Sequence, residues 1–275
     1  LEKTLVKKGI FVVSVDDHFK KHYSNIVVSN RTEEFMMNQK KSDQIWLTGS
    51  KYILVNKDSR KIKFKHKSKK LKVLLHAGGS SSYKYIKDFT STTLKVANEY
   101  NLDLSILCTS KDAKDYIKIF LRKYGCMNKF KILPFIKNLS SKVTNFDIIA
   151  GPSGTTTFES ILSGVVPFSI PIKNDGRDSS NTWSSIGHVL HLTNKEKKNK
   201  IILKDMWSLI IKNYEKLLEL LKKNSRSFDG KGPKRLAEKI MFYYKKNQKK
   251  LVRQNNKKIN NFFISKKCQI LDMRN

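Results

Sequence analysis

Cysteine is scarce in this 275-residue chain, and what there is does not pair: Cys108, Cys126 and Cys268 are odd in number and widely spaced. That pattern excludes a disulfide framework and a cysteine zinc site, and it suggests reduced thiols in a cytoplasmic protein. Long hydrophobic runs are missing too. The longest, such as 148–150 and 165–168, fall far short of the roughly 18 residues a membrane span needs. No apolar stretch beside Leu1 resembles a signal peptide. Acid is in deficit, with 23 Asp and Glu against 56 Lys and Arg and a formal net charge of +33. Such a charge invites a nucleic-acid reading, but arginine is nearly absent: only eight of the 56 basic residues are arginine. Base and phosphate readers favour Arg forks, whereas lysine spread evenly with asparagine looks like compositional bias. No specific nucleic acid is expected; the charge still favours anionic ligands and anionic membrane surfaces.

With 39% hydrophobic and 10% aromatic residues, the chain can build a core and is not disordered. Three short strands are expected first, at 9–15, 25–29 and around 52–55, and then a lysine-rich linker over 57–72. From there strands alternate with helices: strands at 73–76, 104–109, 131–133, 146–150, 167–170 and 189–192. The helices between them fall at 85–100, 112–124, 138–143 and 155–163. Strands alternating with helices over short loops predict a parallel sheet covered on both faces, a Rossmann-like α/β domain over 69–202. Two long helices follow, 203–223 and 233–250, before a basic tail.

Three constellations bear on chemistry. Phe146-Asp-Ile-Ile-Ala-Gly-Pro-Ser-Gly-Thr-Thr-Thr-Phe-Glu159 reads as strand, Gly/Ser/Thr loop and helix. A helix N-terminus offers unpaired N–H groups and partial positive charge, so Ser153, Gly154, Thr155 and Thr156 suit a phosphate. Glu159, one turn in, is placed to accept ribose hydroxyls. An equally good reading is a capped helix, with Ser153 or Thr155 as N-cap and Glu159 as a solvated acid. The second constellation, Gly78-Gly79-Ser80 after a strand ending at His76, lets backbone approach a ligand but is neither G-x-G-x-x-G nor a P-loop. His76 itself reads as a packed histidine. The third, Asp16-Asp17 with His18 and His22, has neither the spacing nor the distant partners of a metal site, so no metal is expected.

Taken in order, five segments resemble a known family. Val13-Ser-Val-Asp-Asp17, Leu47-Thr-Gly-Ser-Lys-Tyr-Ile-Leu-Val55 and Gly78-Gly79-Ser80-Ser81 come first. Phe135-Ile136-Lys-Asn-Leu139, together with Phe146-Asp-Ile-Ile149 and Ser153-Gly-Thr-Thr-Thr-Phe-Glu159, comes next, and Phe228-Asp-Gly-Lys-Gly-Pro-Lys-Arg235 closes the set. They are similar to segments of the PseG-like UDP-sugar hydrolases of pseudaminic acid and spore-coat polysaccharide biosynthesis, relatives of the MurG-type GT-B glycosyltransferases. The resemblance implies a GT-B-like α/β fold and a UDP-sugar or UDP ligand, with no cofactor. It puts the Ile136 backbone at the uracil edge, Phe135 among the nucleotide-sugar-binding residues and Glu159 at the ribose. Gly154 and Thr155 fall at the diphosphate, Asp178 and Asn181 near the sugar, and Gly78 and Gly79 at the cleft.

The same resemblance implies that 1–68 is the remnant of an N-terminal domain and that 203–250 packs back toward it, with 251–275 a basic tail. The family's G-x-G-H-x-x-R loop, with its histidine base, has no counterpart in this sequence. A fragment, a degenerate relative with a purely binding role, and a split enzyme completed by a second chain are all consistent with that. No catalytic residue is assigned. Phe262-Phe263-Ile264 among lysines suits either an anionic membrane surface or packing on the protein body.

Overall fold

In the computed structural model, the described residues are 1–16, 21–30, 44–56, 59, 70–78, 83–171, 190–193, 195–224 and 228–254, the last six of these as backbone only. The chain folds as two compact units. One comprises Leu1–Leu54 with Gly230–Asn275, the other Val55–Asp229.

The first unit is built on a parallel three-stranded sheet, β1 (Val13–Val15), β2 (Ile26–Val28) and β3 (Ile45–Leu47), in the order β1-β2-β3. Strand β2 lies in the middle, and all three of its residues are buried, as a strand covered on both faces requires. Helix α1 (Glu2–Lys7) precedes β1. The long C-terminal helix of the chain, Gly232–Gln254, belongs to this unit. Its Leu236, Ile240 and Tyr243, spaced to share one helix face, join Val13, Ile26, Val28 and Leu47 in the core. Gly232 fits because it has no side chain: a Cβ there would stand 2.2 Å from the Ile53 carbonyl oxygen.

The strand expected around 52–55 is a 3-10 turn at Ser50–Tyr52 followed by unpaired extended chain. There the Leu54 amide donates to Asn30 Oδ1 at 3.1 Å instead of to a neighbouring strand. The third strand is Ile45–Leu47, and α1 was not expected at all.

The second unit carries a six-stranded, all-parallel sheet: β4 (Lys72–His76), β5 (Asp103–Leu107), β6 (Lys131–Leu133), β7 (Ile148–Pro152), β8 (Val166–Ile170) and β9 (Leu190–His191). Their order is β6-β5-β4-β7-β8-β9. Helices α2 (Lys87–Glu99), α3 (Lys111–Lys123), α4 (Leu139–Lys142) and α5 (Thr155–Leu162) make the crossovers. Val73, Leu74, Leu75, Ile106 and Ile148 are fully buried, the mark of strands covered on both faces. Helix α3 starts where Ser110 Oγ accepts the Ala113 N–H at 3.2 Å.

Helices α6 (Lys200–Lys212) and α7 (Tyr214–Asn224) replace the single helix expected at 203–223. The chain breaks at Asn213, whose side-chain amide donates to the Leu209 carbonyl at 3.0 Å. Both helices lie in the second unit, so of the two long helices expected after residue 202 only the last (α8, Gly232–Gln254) belongs to the first. The anchor is Trp207 of α6, fully buried in edge-on contact with Phe168, 5.1 Å between centroids. Its indole N–H donates to Thr93 Oγ1 of α2 at 3.1 Å.

Candidate functional site

The strand order runs outward in both directions from β4 and β7. Connections β4-β5-β6 go one way and β7-β8-β9 the other, so the pair β4/β7 is the switch point of the sheet. Open α/β sheets bind ligands outside the carboxyl ends of the strands at such a point. Every described candidate in this unit lies at that edge: Gly78 after β4, Phe135 and Ile136 after β6, Ser153 to Glu159 after β7.

The β7–α5 turn is the best formed of these. Gly154 is the N-cap residue, and its N–H donates to Thr157 Oγ1 at 3.3 Å, while Thr157 N–H returns to the Gly154 carbonyl at 3.0 Å. Neither Ser153 nor Thr155 caps the helix with its side chain. Ser153 instead shares a hydrogen bond with Ser169 Oγ of β8. The amides of Thr155 and Thr156 meet no acceptor among the described residues, and Gly154 and Thr155 are exposed. Two donors at the positive end of α5 are therefore left unengaged among the described residues. Gly154 leaves open space in front of them: a Cβ there would meet nothing within 4 Å.

Glu159 does not present a free carboxylate. The residue is only 7% exposed; the Asn56 N–H donates to it, while the Ser59 hydroxyl nearby is buried and makes no hydrogen bond among the described residues. Burial raises its pKa, and the Asn56 amide and the nearby Ser59 hydroxyl offset that in part. It is thus neither a solvated first-turn acid nor an empty ribose acceptor; it ties Asn56 to α5. A carboxylate has room for about four hydrogen bonds, so acceptor capacity remains.

Phe135 is 68% exposed, whereas Ile136 packs partly on the cluster of Leu74, Leu107, Val143, Ile149 and Val165. The Ile136 carbonyl accepts from the Asn138 N–H at 3.2 Å, and its amide is not engaged among the described residues. Gly78 takes a φ of +74° and donates its N–H to His76 Nδ1 at 3.2 Å. Gly79, Ser80, Asp178 and Asn181 lie outside the described residues. Cys108, just past the end of β5, is buried, and burial pushes its thiol up to about 11, which disfavours the nucleophilic thiolate.

Sequence reasoning missed the pairing of His76 with Gly151. A Cβ on Gly151 would stand 2.3 Å from the His76 carbonyl oxygen and 2.7 and 2.8 Å from ring atoms Cδ2 and Nε2. A glycine inside a strand pattern signals such close approach, and Gly151 carried that signal unread.

In the first unit, His22 lies between two carboxylates, with Nδ1 2.9 Å from Glu2 Oε1 and Nε2 3.4 Å from Asp16 Oδ1. Glu2 also accepts from Ser14 Oγ at 2.6 Å and Tyr23 N–H at 2.7 Å. Among the described residues no three His, Cys, Asp or Glu side chains are arranged to hold a metal ion. An open groove of about 280 Å³ in this unit is lined by Tyr52, Arg235, Glu238, Lys239 and Phe242, none of them singled out as a site residue in the sequence.

No family model and no curated protein matches the chain. Solved structures do, at low identity. MurG of Acinetobacter baumannii superposes with a TM-score of 0.60 at 17% identity, covering 86% of this chain and 68% of MurG. MnaA of S. aureus, solved with UDP, gives 0.62 at 12% identity over 88% of this chain and 70% of MnaA. A protein described as a UDP-N-acetylglucosamine 2-epimerase of Listeria monocytogenes gives 0.59 at 12% over 81% and 60%. The chain spans between 60% and 70% of the length of these three structures. The fold is therefore the α/β fold of the GT-B glycosyltransferases, with Rossmann-like parallel sheets, as the sequence led us to expect. Within that class its neighbours are MurG-type transferases and UDP-N-acetylglucosamine 2-epimerases. No helix among the described residues is long and apolar enough to cross a membrane.

Proposed function

We propose that this chain is the nucleotide-sugar-binding part of an enzyme that acts on UDP-sugars in surface polysaccharide synthesis, by hydrolysis as in the PseG-like enzymes or by glycosyl transfer. One observation carries the reading: two unengaged amides, of Thr155 and Thr156, at the N-terminus of α5, on the switch-point edge of the sheet. Amide donors there stabilise the charge that grows on a diphosphate as it leaves. Water or an acceptor hydroxyl attacks the anomeric carbon, the bond to the diphosphate oxygen breaks, and UDP departs carrying that electron pair. Phe135, exposed beside the free Ile136 amide, is suited to the uracil. Glu159 serves the ribose through the acceptor capacity that Asn56 leaves.

The neighbours support the ligand class: MnaA was solved with UDP, and the Listeria protein is described as acting on a UDP-sugar. Titration calorimetry of the full chain with UDP, UMP and uridine tests it. UDP is expected to bind at least tenfold more tightly than uridine, with UMP between them, and Glu159→Ala to weaken UDP. Absence of binding by both UDP and UMP overturns the reading.

A further inference from the structure

We propose that His76 donates a hydrogen bond from Nε2 to a phosphate oxygen of the nucleotide diphosphate seated at the β7–α5 turn, as a neutral donor complementing the α5 amides; this rests on the nucleotide-sugar reading above. Three observations converge. First, the tautomer is fixed by geometry: Gly78 N–H donates to Nδ1 at 3.2 Å, so Nδ1 holds a lone pair and the ring proton sits on Nε2. Second, this Nε2–H has no acceptor among the described residues, and although His76 as a residue is only 6% exposed, Nε2 is not one of the fully enclosed unpartnered atoms, so the donor is left for a ligand. Third, the Nε2 edge of the ring lies over Gly151, within 2.8 Å of where a Cβ would stand. Pro152 and Ser153 alone separate Gly151 from the N-cap Gly154, which puts the ring at the end of the strand that leads into the turn with the unengaged amides.

The glycine at 151 explains the placement. Any side chain there would expel the imidazole, so Gly151 keeps the histidine against the strand end. Burial also depresses the pKa of His76 to about 4, which keeps the ring neutral at physiological pH. A neutral N–H at the mouth of a parallel sheet adds a directed donor to the oxyanion without adding a charge that a departing UDP would have to leave behind.

The test uses the full chain with 15N-labelled histidine. In long-range 1H–15N spectra at pH 7, the His76 ring is expected to show the Nε2–H tautomer. UDP is expected to move the Nε2–H signal downfield, inorganic pyrophosphate to move it the same way, and uridine to leave it in place. By calorimetry, His76→Leu is expected to weaken UDP at least tenfold. His76→Gln, whose amide nitrogen reaches roughly the place of Nε2, is expected to stay within about threefold of wild type. UDP binding that leaves the Nε2–H signal unmoved overturns the proposal without needing any variant to fold. So does equal UDP affinity of the wild type and His76→Leu, or a folded His76→Gln as weak as His76→Leu. If the wild type binds neither UDP nor UMP, the functional reading itself fails, and this inference with it.

Discussion

Two histidines are buried to nearly the same extent in the two units, and their surroundings drive them in opposite directions. His22 is 4% exposed and His76 6%. His22 is flanked by Asp16 and Glu2, and pairing with Asp16 first, then Glu2, raises its pKa despite desolvation. His76 has a backbone amide and a glycine α-carbon for company, so desolvation is unopposed and its pKa falls to about 4. Burial by itself decides nothing about a histidine; the neighbours do. The charged cluster in the first unit is tied together by its own members. The ring in the second unit keeps one donor in reserve.

Removing a carboxylate from the first cluster gives the largest effect. Glu2→Ala leaves His22 Nδ1, Ser14 Oγ and the Tyr23 amide without their shared acceptor. Breaking a buried pair on one side costs about 3–5 kcal/mol. Denaturant unfolding followed through Trp46, whose ring lies edge-on to His22 at 6.3 Å, is expected to show a loss of that size. A loss below about 1 kcal/mol would mean that water already solvates the cluster. The matching assault on the second histidine is Gly151→Ala. Its new methyl meets the His76 carbonyl at 2.3 Å, backbone that cannot swing aside, and overpacking of this kind costs about 1–3 kcal/mol. Unfolding followed through Trp207, in the core of the same unit, reads that loss.

The sheet of the second unit was legible because its strands are short apolar runs set between helical patterns, as at 73–76 and 167–170, and that alternation admits little besides a parallel sheet. The β7–α5 turn was legible for a local reason, a Gly/Ser/Thr segment between strand and helix. What escaped was tertiary. Glu159 sits where both a ribose acceptor and a solvated acid were reasonable, and only the arrival of Asn56 and Ser59, a hundred residues earlier in a lysine-rich stretch, decides what it touches. The Glu2–His22 contact spans 20 residues and depends on a six-residue helix too short to announce itself. The apolar stretch at 52–55 looked like a strand, but burial alone does not supply a pairing partner.

Acidification sharpens the contrast between the histidines, because the signs differ. A raised His22 pKa means that the folded first unit holds a proton the unfolded chain releases. Its contribution is fully present below about pH 6.5 and is lost as pH rises through the folded value. A depressed His76 pKa works the other way: between pH 6.5 and about 4 the unfolded chain takes a proton that the folded unit refuses, so stability falls as pH falls. Each slope is at most about 1.4 kcal/mol per pH unit. Glu2, held below its usual pKa by Ser14, Tyr23 and His22 against the cost of burial, adds stability that is lost only below about pH 4.5. Hydrogen exchange read peptide by peptide should therefore show β1 and β2 gaining protection from pH 8 to 6. Over pH 6.5 to 4, β4 and β7 should lose it. Replacing each histidine by glutamine should remove the trend from its own unit alone, and equal trends in both units would refute the contrast.

The smallest effect concerns the carboxylate that shares the second unit with His76. Glu159 resembles His76 in being desolvated, but the Asn56 amide and the nearby Ser59 hydroxyl favour its charged form, and the balance still leaves its pKa raised. Ser59→Ala removes a nearby hydroxyl that makes no hydrogen bond among the described residues while leaving the Asn56 amide in place, so its net cost is expected to stay below the roughly 1 kcal/mol of one hydrogen bond. With less to favour the charged form, the Glu159 pKa rises further, so the folded unit keeps its proton to higher pH than wild type and the penalty grows toward neutral pH. The carboxyl 13C shift of Glu159 against pH measures this directly. A titration unchanged by Ser59→Ala would show that burial and the Asn56 amide alone set the state of this carboxylate, and that Ser59 is free to be displaced by a ligand hydroxyl.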